Sequence, residues 1–346
     1  RPRRECITGF SLIKASDKPI SIRRARFRIR LLTYLLRGQE SRKLLHYQES
    51  LDFKSTELVV RLELAYITNM KKIDSHLHVW AHDPDTYPYR VGQEPPKARG
   101  NAEFLLDLMD RADVVGAMIV QPIVHGFDHR YVDDTIAQWP DRFTGMCLVD
   151  PQAEDPVGML DELVGRGYRG VRFNPALWRE GEFMNGDVGQ ALYKRAGEIG
   201  IPVGFLVSPH NYQEIETLAS VYPDTDAIID HFGHCVPNRD GSAVPAFERL
   251  LQMARFPRLN VKLSEFPRAS NEDFPYIDLF HWVHQLIDAY SSERLMWGTD
   301  FPFIVEQVGY TKGWDIVDRI EPAIGPGLDA QILGGTCERL FGTWGE

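Results

Sequence analysis

The chain of 346 residues, 43% hydrophobic and 25% charged, holds enough apolar material for one large domain or two small ones. Its formal net charge is −10, yet the first 69 residues carry 15 Lys and Arg against 7 Asp and Glu, so the remainder is strongly acidic. An acidic body has no general attraction for phosphate backbones or anionic lipid, and no apolar run approaches the ~20 residues that span a bilayer, so nucleic-acid and membrane roles are set aside.

In chain order, residues 1–69 come first, with the Arg-rich stretch "ISIRRARFRIRLLTYLLRGQESRK". This composition reads as an appendage with three open origins: an organellar transit peptide, a stretch preceding a true start at Met70, or a helical extension. From residue 70 the texture changes, and apolar strand-like runs alternate with amphipathic segments to residue 346. The strand candidates are "KIDSHLHV", "GAMIVQP", "FTGMCLVD", "GVRFNP", "PVGFLVSP", "DAIIDHFGH", "NVKLSEF" and "RLMWGTDFP". Between them, segments such as "NAEFLLDLMDRADV", "DVGQALYKRAGEIG" and "IDLFHWVHQLIDAY" repeat apolar residues at three- and four-residue steps, as helices do. Eight strands each followed by a helix, in a body near the ~250 residues usual for the architecture, predict an α/β fold of the (β/α)8 TIM-barrel type. A doubly wound open sheet is the alternative, but the first strand-to-helix turn lacks a G-x-G-x-x-G signature.

A barrel gathers its chemistry where the strands end. At those ends stand His76 and His78, then Arg172 and Asn174, then Ser208 and His210. Asp230, His231 and His234 follow, then Ser264 with Arg268 beyond, and finally Asp300. Strand residues two apart share a face, so Asp74, His76 and His78 are expected to project together into the barrel. Two adjacent imidazoles suit a metal, and a sixth-strand His with an eighth-strand Asp would complete a site. Trp80, Tyr87, Tyr89 and Trp178 fall in loops at the expected mouth, where they either stack on a planar substrate or pack a lid. Cys147 reads as a core residue, and the wide spacing of Cys6, Cys147, Cys235 and Cys337 points to a reducing compartment.

The motifs "IDSHLHVW", "GVRFNP", "IDHFGH", "NVKLSEF", "RLMWGTDFPF" and "ILGGTCERLFG" together resemble the amidohydrolase-related family of the amidohydrolase superfamily, in the branch of 2-pyrone-4,6-dicarboxylate lactonase and the sugar and muconolactone lactonases. The resemblance covers residues 70–346. It implies that His76, His78 and Asp300 form the metal or catalytic cluster, and that His231 orients substrate or polarises its carbonyl. Arg172 occupies the fourth-strand position where two-metal members carry a bridging ligand, which argues against a second metal there. The expected cofactor is one divalent ion, zinc or manganese, on His76, His78 and Asp300; the resemblance also allows metal-free operation.

The reaction expected from these residues is hydrolysis of a small carboxylated lactone or related cyclic ester or amide. Asp300 activates water while His231, His76 and His78 stabilise the oxyanion. Arg172 and Arg268 clamp a carboxylate, and Asn174 and Trp80 line the substrate site. A metal-dependent decarboxylase of the same superfamily is the alternative; a non-catalytic scaffold is disfavoured because it has no use for buried titratable groups. The expected partner is a small-molecule substrate, with no nucleic acid and no membrane, and self-association into a homo-oligomer is left open. The expected location is the cytoplasm, or a plastid or mitochondrion if the Arg-rich segment is a transit peptide. Because no chemical motif precedes Met70, a protein beginning there is expected to keep the full kcat of the whole chain; a clear drop in kcat or solubility would refute the reading as an appendage.

Overall fold

β1 (Lys72–Leu77) is the first element of the computed structural model, which describes residues 71–94, 96–235, 243–324 and 330–344. The extension expected over residues 1–69 lies outside the described residues. α1 (Ala102–Arg111) leads to β2 (Val114–Val120), and α2 (Arg130–Gln138) to β3 (Phe143–Cys147). α3 (Pro156–Gly165), β4 (Tyr168–Phe173), α4 (Asp187–Ile199) and β5 (Val203–Phe205) follow. The second half continues with α5 (Tyr212–Val221), β6 (Ala227–Ile229), α6 (Val244–Met253) and β7 (Leu259–Leu263), then α7 (Phe280–Tyr290), β8 (Leu295–Trp297) and α8 (Tyr310–Ile324). The eight strands pair in parallel in chain order, so the predicted alternation is the observed one.

Closure comes at the seam between β1 and the segment after β8. The Asp300 N–H donates to His76 O at 2.8 Å, and the His78 N–H donates to Phe301 O at 2.8 Å. Leu77 and Phe301 form a parallel bridge between these two bonds. Gly298 makes the approach feasible, since a Cβ there would lie 2.7 Å from His76 Cβ. Beside it, the buried Asp74 carboxylate accepts hydrogen bonds from the Thr299 backbone and hydroxyl and from Tyr310 Oη.

Two apolar layers follow from strand alternation. Ile73, Met118, Val120, Met146, Ile228 and Met296 fill the barrel with Cys337, Phe341 and Trp344. These last three come from the C-terminal segment, which plugs the barrel end opposite the site. Trp344 packs so closely on β2 that a Cβ at Gly116 would meet its ring at 2.3 Å. The other layer packs Leu105, Leu192, Leu218, Leu250 and Leu286 of the helices against outward strand residues. Local signals set the helix starts, as at α3, where Asp155 accepts a hydrogen bond from the Gly158 N–H and Pro156 occupies the first turn. No helix among the described residues is long and apolar enough to cross a membrane.

The structure corrects two expectations. A register shift between Asp74 and Leu77 inserts an extra residue into β1. Asp74 is thereby turned to the helix layer and Tyr310, while His76 faces the interior. Several strands are also shorter than their apolar runs: β6 ends at Ile229 and β8 at Trp297. Asp230, His231 and Asp300 consequently lie in the loops beyond the strands.

The histidines after β2 take structural roles. His129 accepts a hydrogen bond from the Leu148 N–H at Nε2 and bonds Phe127 O through Nδ1, against the Tyr168 ring. His125 bonds Pro88 O through Nδ1. Burial lowers His129 to about 4. Unfolded, it titrates near 6.5, so its contribution is complete above that value and is lost as pH falls toward 4. His129→Gln is therefore expected to remove about 2 kcal/mol of the stability difference between pH 8 and pH 5 seen in wild-type urea unfolding. An unchanged pH dependence in the variant would show that His129 carries none of it.

Candidate active site

At the C-terminal mouth of the barrel is a cavity of about 740 Å³ whose wall includes His78, Arg172, His231, Glu265 and Asp300. Each side chain is set by a different strand end. His76 lies within β1 and is fully buried; His78 follows it, bonding Val120 O through Nδ1 at 2.8 Å. That bond aims Nε2 at Asp300 Oδ1, 3.6 Å away, while His76 Nε2 lies 3.8 Å from the same oxygen. His231 stacks edge-on against His76, ring centroids 4.4 Å apart, with Nδ1 bonded to Ser264 Oγ at 2.8 Å.

The backbone at this rim is strained. His231, His234, Glu265 and Asp300 all adopt left-handed φ values of 51°, 49°, 59° and 57°. Non-glycine residues enter that region at a cost of roughly 1–2 kcal/mol each, and such residues concentrate where side chains must be aimed against local preference.

Below the rim lies a buried ionic network centred on Asp230. Its carboxylate takes Arg172 Nε at 2.8 Å and Lys262 Nζ at 3.2 Å, with His76 Nδ1 at 3.3 Å. Lys262 Nζ also lies 3.1 Å from His76 Nδ1. Burial works against the charge on Asp230, but Lys262, His76 and Arg172 outweigh it and hold the carboxyl well below its ordinary range. Burial, aided by Lys262, keeps His76 neutral, and burial likewise lowers His231; His78 is lowered to about 4. Asp300 moves the other way, pushed well above its ordinary value by burial and the nearby Glu265 charge. A carboxyl so placed is a stronger proton acceptor than an exposed one.

The donor set suits a divalent ion. Ligand atoms of His76, His231 and Asp300 lie within 4.8 Å of one another, and His76 Nε2 is buried without a hydrogen-bond partner among the described residues. Two neutral imidazoles and a carboxylate are the donors zinc prefers. Of the expected set His76, His78 and Asp300, the group at this distance keeps His76 and Asp300 and has His231 in the place of His78, whose Nε2 lies 3.6 Å from Asp300 Oδ1.

The remaining expected residues divide. Arg172 lines the cavity, and among the described residues its Nη nitrogens make no hydrogen bond, leaving them toward solvent or ligand. Asn174 also lines it, with Oδ1 capping the Ala176 N–H. Trp80 is on the wall, fixed by Nε1 to Ala98 O, and Arg268 stands at the rim paired with Glu265. Tyr87, Tyr89 and Trp178 do not line it: Tyr87 bonds Asp134, Tyr89 bonds Ala81 O, and Trp178 packs on Phe173. Cys147 is buried in β3 with its thiol pushed up to about 12 by burial, which makes it inert.

Sequence reasoning passed over Lys262 and Glu265. The available signal was an ammonium amid the apolar residues of "NVKLSEF", two positions before Ser264 and hence on its face.

Residues 73–343 match the family model described as amidohydrolase. A 4-sulfomuconolactone hydrolase from Hydrogenophaga intermedia is 29% identical over 66% of this chain and 74% of its own length. An L-fucono-1,5-lactonase from Burkholderia ambifaria is 23% identical, covering 78% of this chain and 95% of its own. Among solved structures, a probable 2-pyrone-4,6-dicarboxylic acid hydrolase from Acinetobacter baumannii, with citric acid bound, superposes with a TM-score of 0.67 at 21% identity, over 79% of this chain and all of that one.

The ionic network makes a stability prediction. Lys262→Met keeps the volume but leaves Asp230 with Arg172 as its one charged partner from the pair, and breaking a buried pair costs about 3–5 kcal/mol. Urea unfolding should show a loss near the low end of that range. A midpoint equal to wild type would show that Arg172 alone satisfies Asp230.

Proposed function

We propose that this chain, which belongs to the amidohydrolase family, hydrolyses a small carboxylated lactone at the barrel mouth. The observation that carries the reading is the convergence of His78, His231 and Asp300 on one cavity, with the fully buried His76 behind them and a buried arginine in the wall. The lactone names of the two relatives support the substrate class.

In this reading the substrate carboxylate docks on the Nη fork of Arg172, held rigid because Nε is bonded to Asp230. Arg268 provides a second cation at the rim, and Asn174 and Trp80 complete the wall. The lactone carbonyl lies toward His231, with water between it and Asp300. Asp300 takes the proton of the attacking water, and the same proton passes to the ring oxygen as the C–O bond breaks, giving a hydroxy acid. His76 and His78 face Asp300 Oδ1 with Nε2 atoms 3.8 and 3.6 Å away, beyond hydrogen-bond reach, and gather with it as ligand-type atoms at the mouth. A divalent ion on His76, His231 and Asp300, zinc or manganese, would polarise the carbonyl as a Lewis acid when bound. Residues 70–346 constitute the catalytic domain and 1–69 an appendage. The described cysteines, Cys147, Cys235 and Cys337, are buried free thiols, which suits the cytoplasm.

The test is a panel of carboxylated and uncharged lactones, with ring opening followed by acid release. Asp300→Asn keeps the shape and removes the proton acceptor, so kcat should fall roughly 10²–10⁴-fold with KM little changed. Arg172→Lys keeps a charge against Asp230 but loses the fork, so KM for the carboxylated lactone should rise roughly ten- to a hundredfold while the uncharged analogue is unaffected. Near-normal kcat in Asp300→Asn would end the general-base assignment; equal effects on both lactones in Arg172→Lys would end the carboxylate assignment.

A further inference from the structure

A second set of metal-ligand atoms converges toward the outside of the cavity, and the hydrolytic reading uses only His231 of it. His231, His234 and Glu265 bring their ligand atoms within 4.8 Å of one another. Both histidines are prepared for coordination by what their other nitrogen does. His234 donates Nδ1–H to Val207 O at 2.8 Å, which directs Nε2 at Glu265 Oε2 3.4 Å away; the hydrogen bond to this carboxylate raises the imidazole's pKa, so a cation binding there displaces a proton. His231 has Nδ1 engaged by Ser264 Oγ, and its Nε2 lies 4.0 Å from Glu265 Oε1. A backbone carbonyl or hydroxyl behind each ring is the arrangement that fixes the tautomer and direction of a metal-binding imidazole. All three residues also hold left-handed backbone, as do Phe232 and Gly233 in the turn between the two histidines.

Two groups compete with a cation here, the proton that Glu265 stabilises on His234 and the Arg268 guanidinium. Arg268 Nη1 pairs with Glu265 Oε1, but the arginine side chain is 55% exposed while the glutamate is 13% exposed. A half-exposed guanidinium leaves such a pair at little cost, and the carboxylate stays where it is.

We propose that His231, His234 and Glu265 form an outer position for a divalent cation of the zinc class, with Arg268 as its removable cover. Because His231 has a single free ring nitrogen, the inner cluster with His76 and Asp300 and this outer one draw on the same ligand. One ion excludes or displaces the other rather than forming a pair. Excess zinc would thus occupy the mouth at the expense of the inner cluster. The proposal stands on these three side chains and is independent of what the enzyme hydrolyses.

The experiment titrates zinc chloride calorimetrically into protein freed of metal by chelation, for wild type, Arg268→Met, His234→Gln and the double variant. Arg268→Met is expected to bind zinc about tenfold more tightly than wild type, and adding His234→Gln should abolish that gain. His234 is one-third exposed, so its replacement is compatible with folding, and urea midpoints establish this for every variant. Absence of tightening in Arg268→Met overturns the proposal. So does a gain that survives His234→Gln, because it would arise from the lost positive charge acting at a distance on the inner cluster.

Discussion

Everything at the mouth depends on how β1 meets the end of β8. The two segments exchange backbone hydrogen bonds at His76, His78, Asp300 and Phe301, and the first three of these residues bring their side chains together at the site. The last ladder that closes the barrel is therefore also the template for the site. Asp74 reinforces it from the helix side, because three of its four hydrogen-bond donors come from Thr299 and Tyr310 and the fourth is the His76 N–H. Burial raises that carboxyl to about 6, with Thr299 and Tyr310 pulling it back down, so the seam rests on a buried acid held by donors rather than by a cation.

Inside this frame, the Asp230 network supplies what the apolar core cannot, a fixed orientation for polar groups in a dry interior. Lys262 and Asp230 both reach His76 Nδ1, so the ring cannot turn without breaking a charge-assisted contact. Arg172 is tied at Nε by the same carboxylate. The groups that face a ligand are thus oriented by a set that never touches it. Buried ions of this kind add little net stability, and their value is in geometry.

Much of this was legible in the chain. Alternation of period-two and period-3.6 hydrophobicity specified eight strand and helix pairs, and polar residues at successive strand ends marked the mouth, with His76, His78 and Asp300 among them. What escaped has physical reasons. The bulge that turns Asp74 outward depends on cross-strand register, which alternation within one strand does not encode. His231 and Asp300 lie past their strands because β6 and β8 stop after three residues, and apolar runs continue beyond the hydrogen-bonded ladder. Lys262 was hidden by the habit of reading lysine as solvent-facing, which fails when a carboxylate from another strand meets it in the interior. The aromatic residues Tyr87, Tyr89 and Trp178 turned aside to partners distant in sequence or in the surrounding loops.

The left-handed corners at His231, His234, Glu265 and Asp300 bear on how such a barrel could diversify. Each corner is aimed by its main chain as much as by its side chain, so exchanging the residue alters loop energy and chemistry together. Cavity-wall positions such as Pro122, Ile123, Ser208 and His210 carry no such coupling, since none of them has positive φ. Mutational walks toward a new substrate would accordingly run through the wall while the corners stay put. The geometry of attack would be inherited, and the shape of what is attacked would drift.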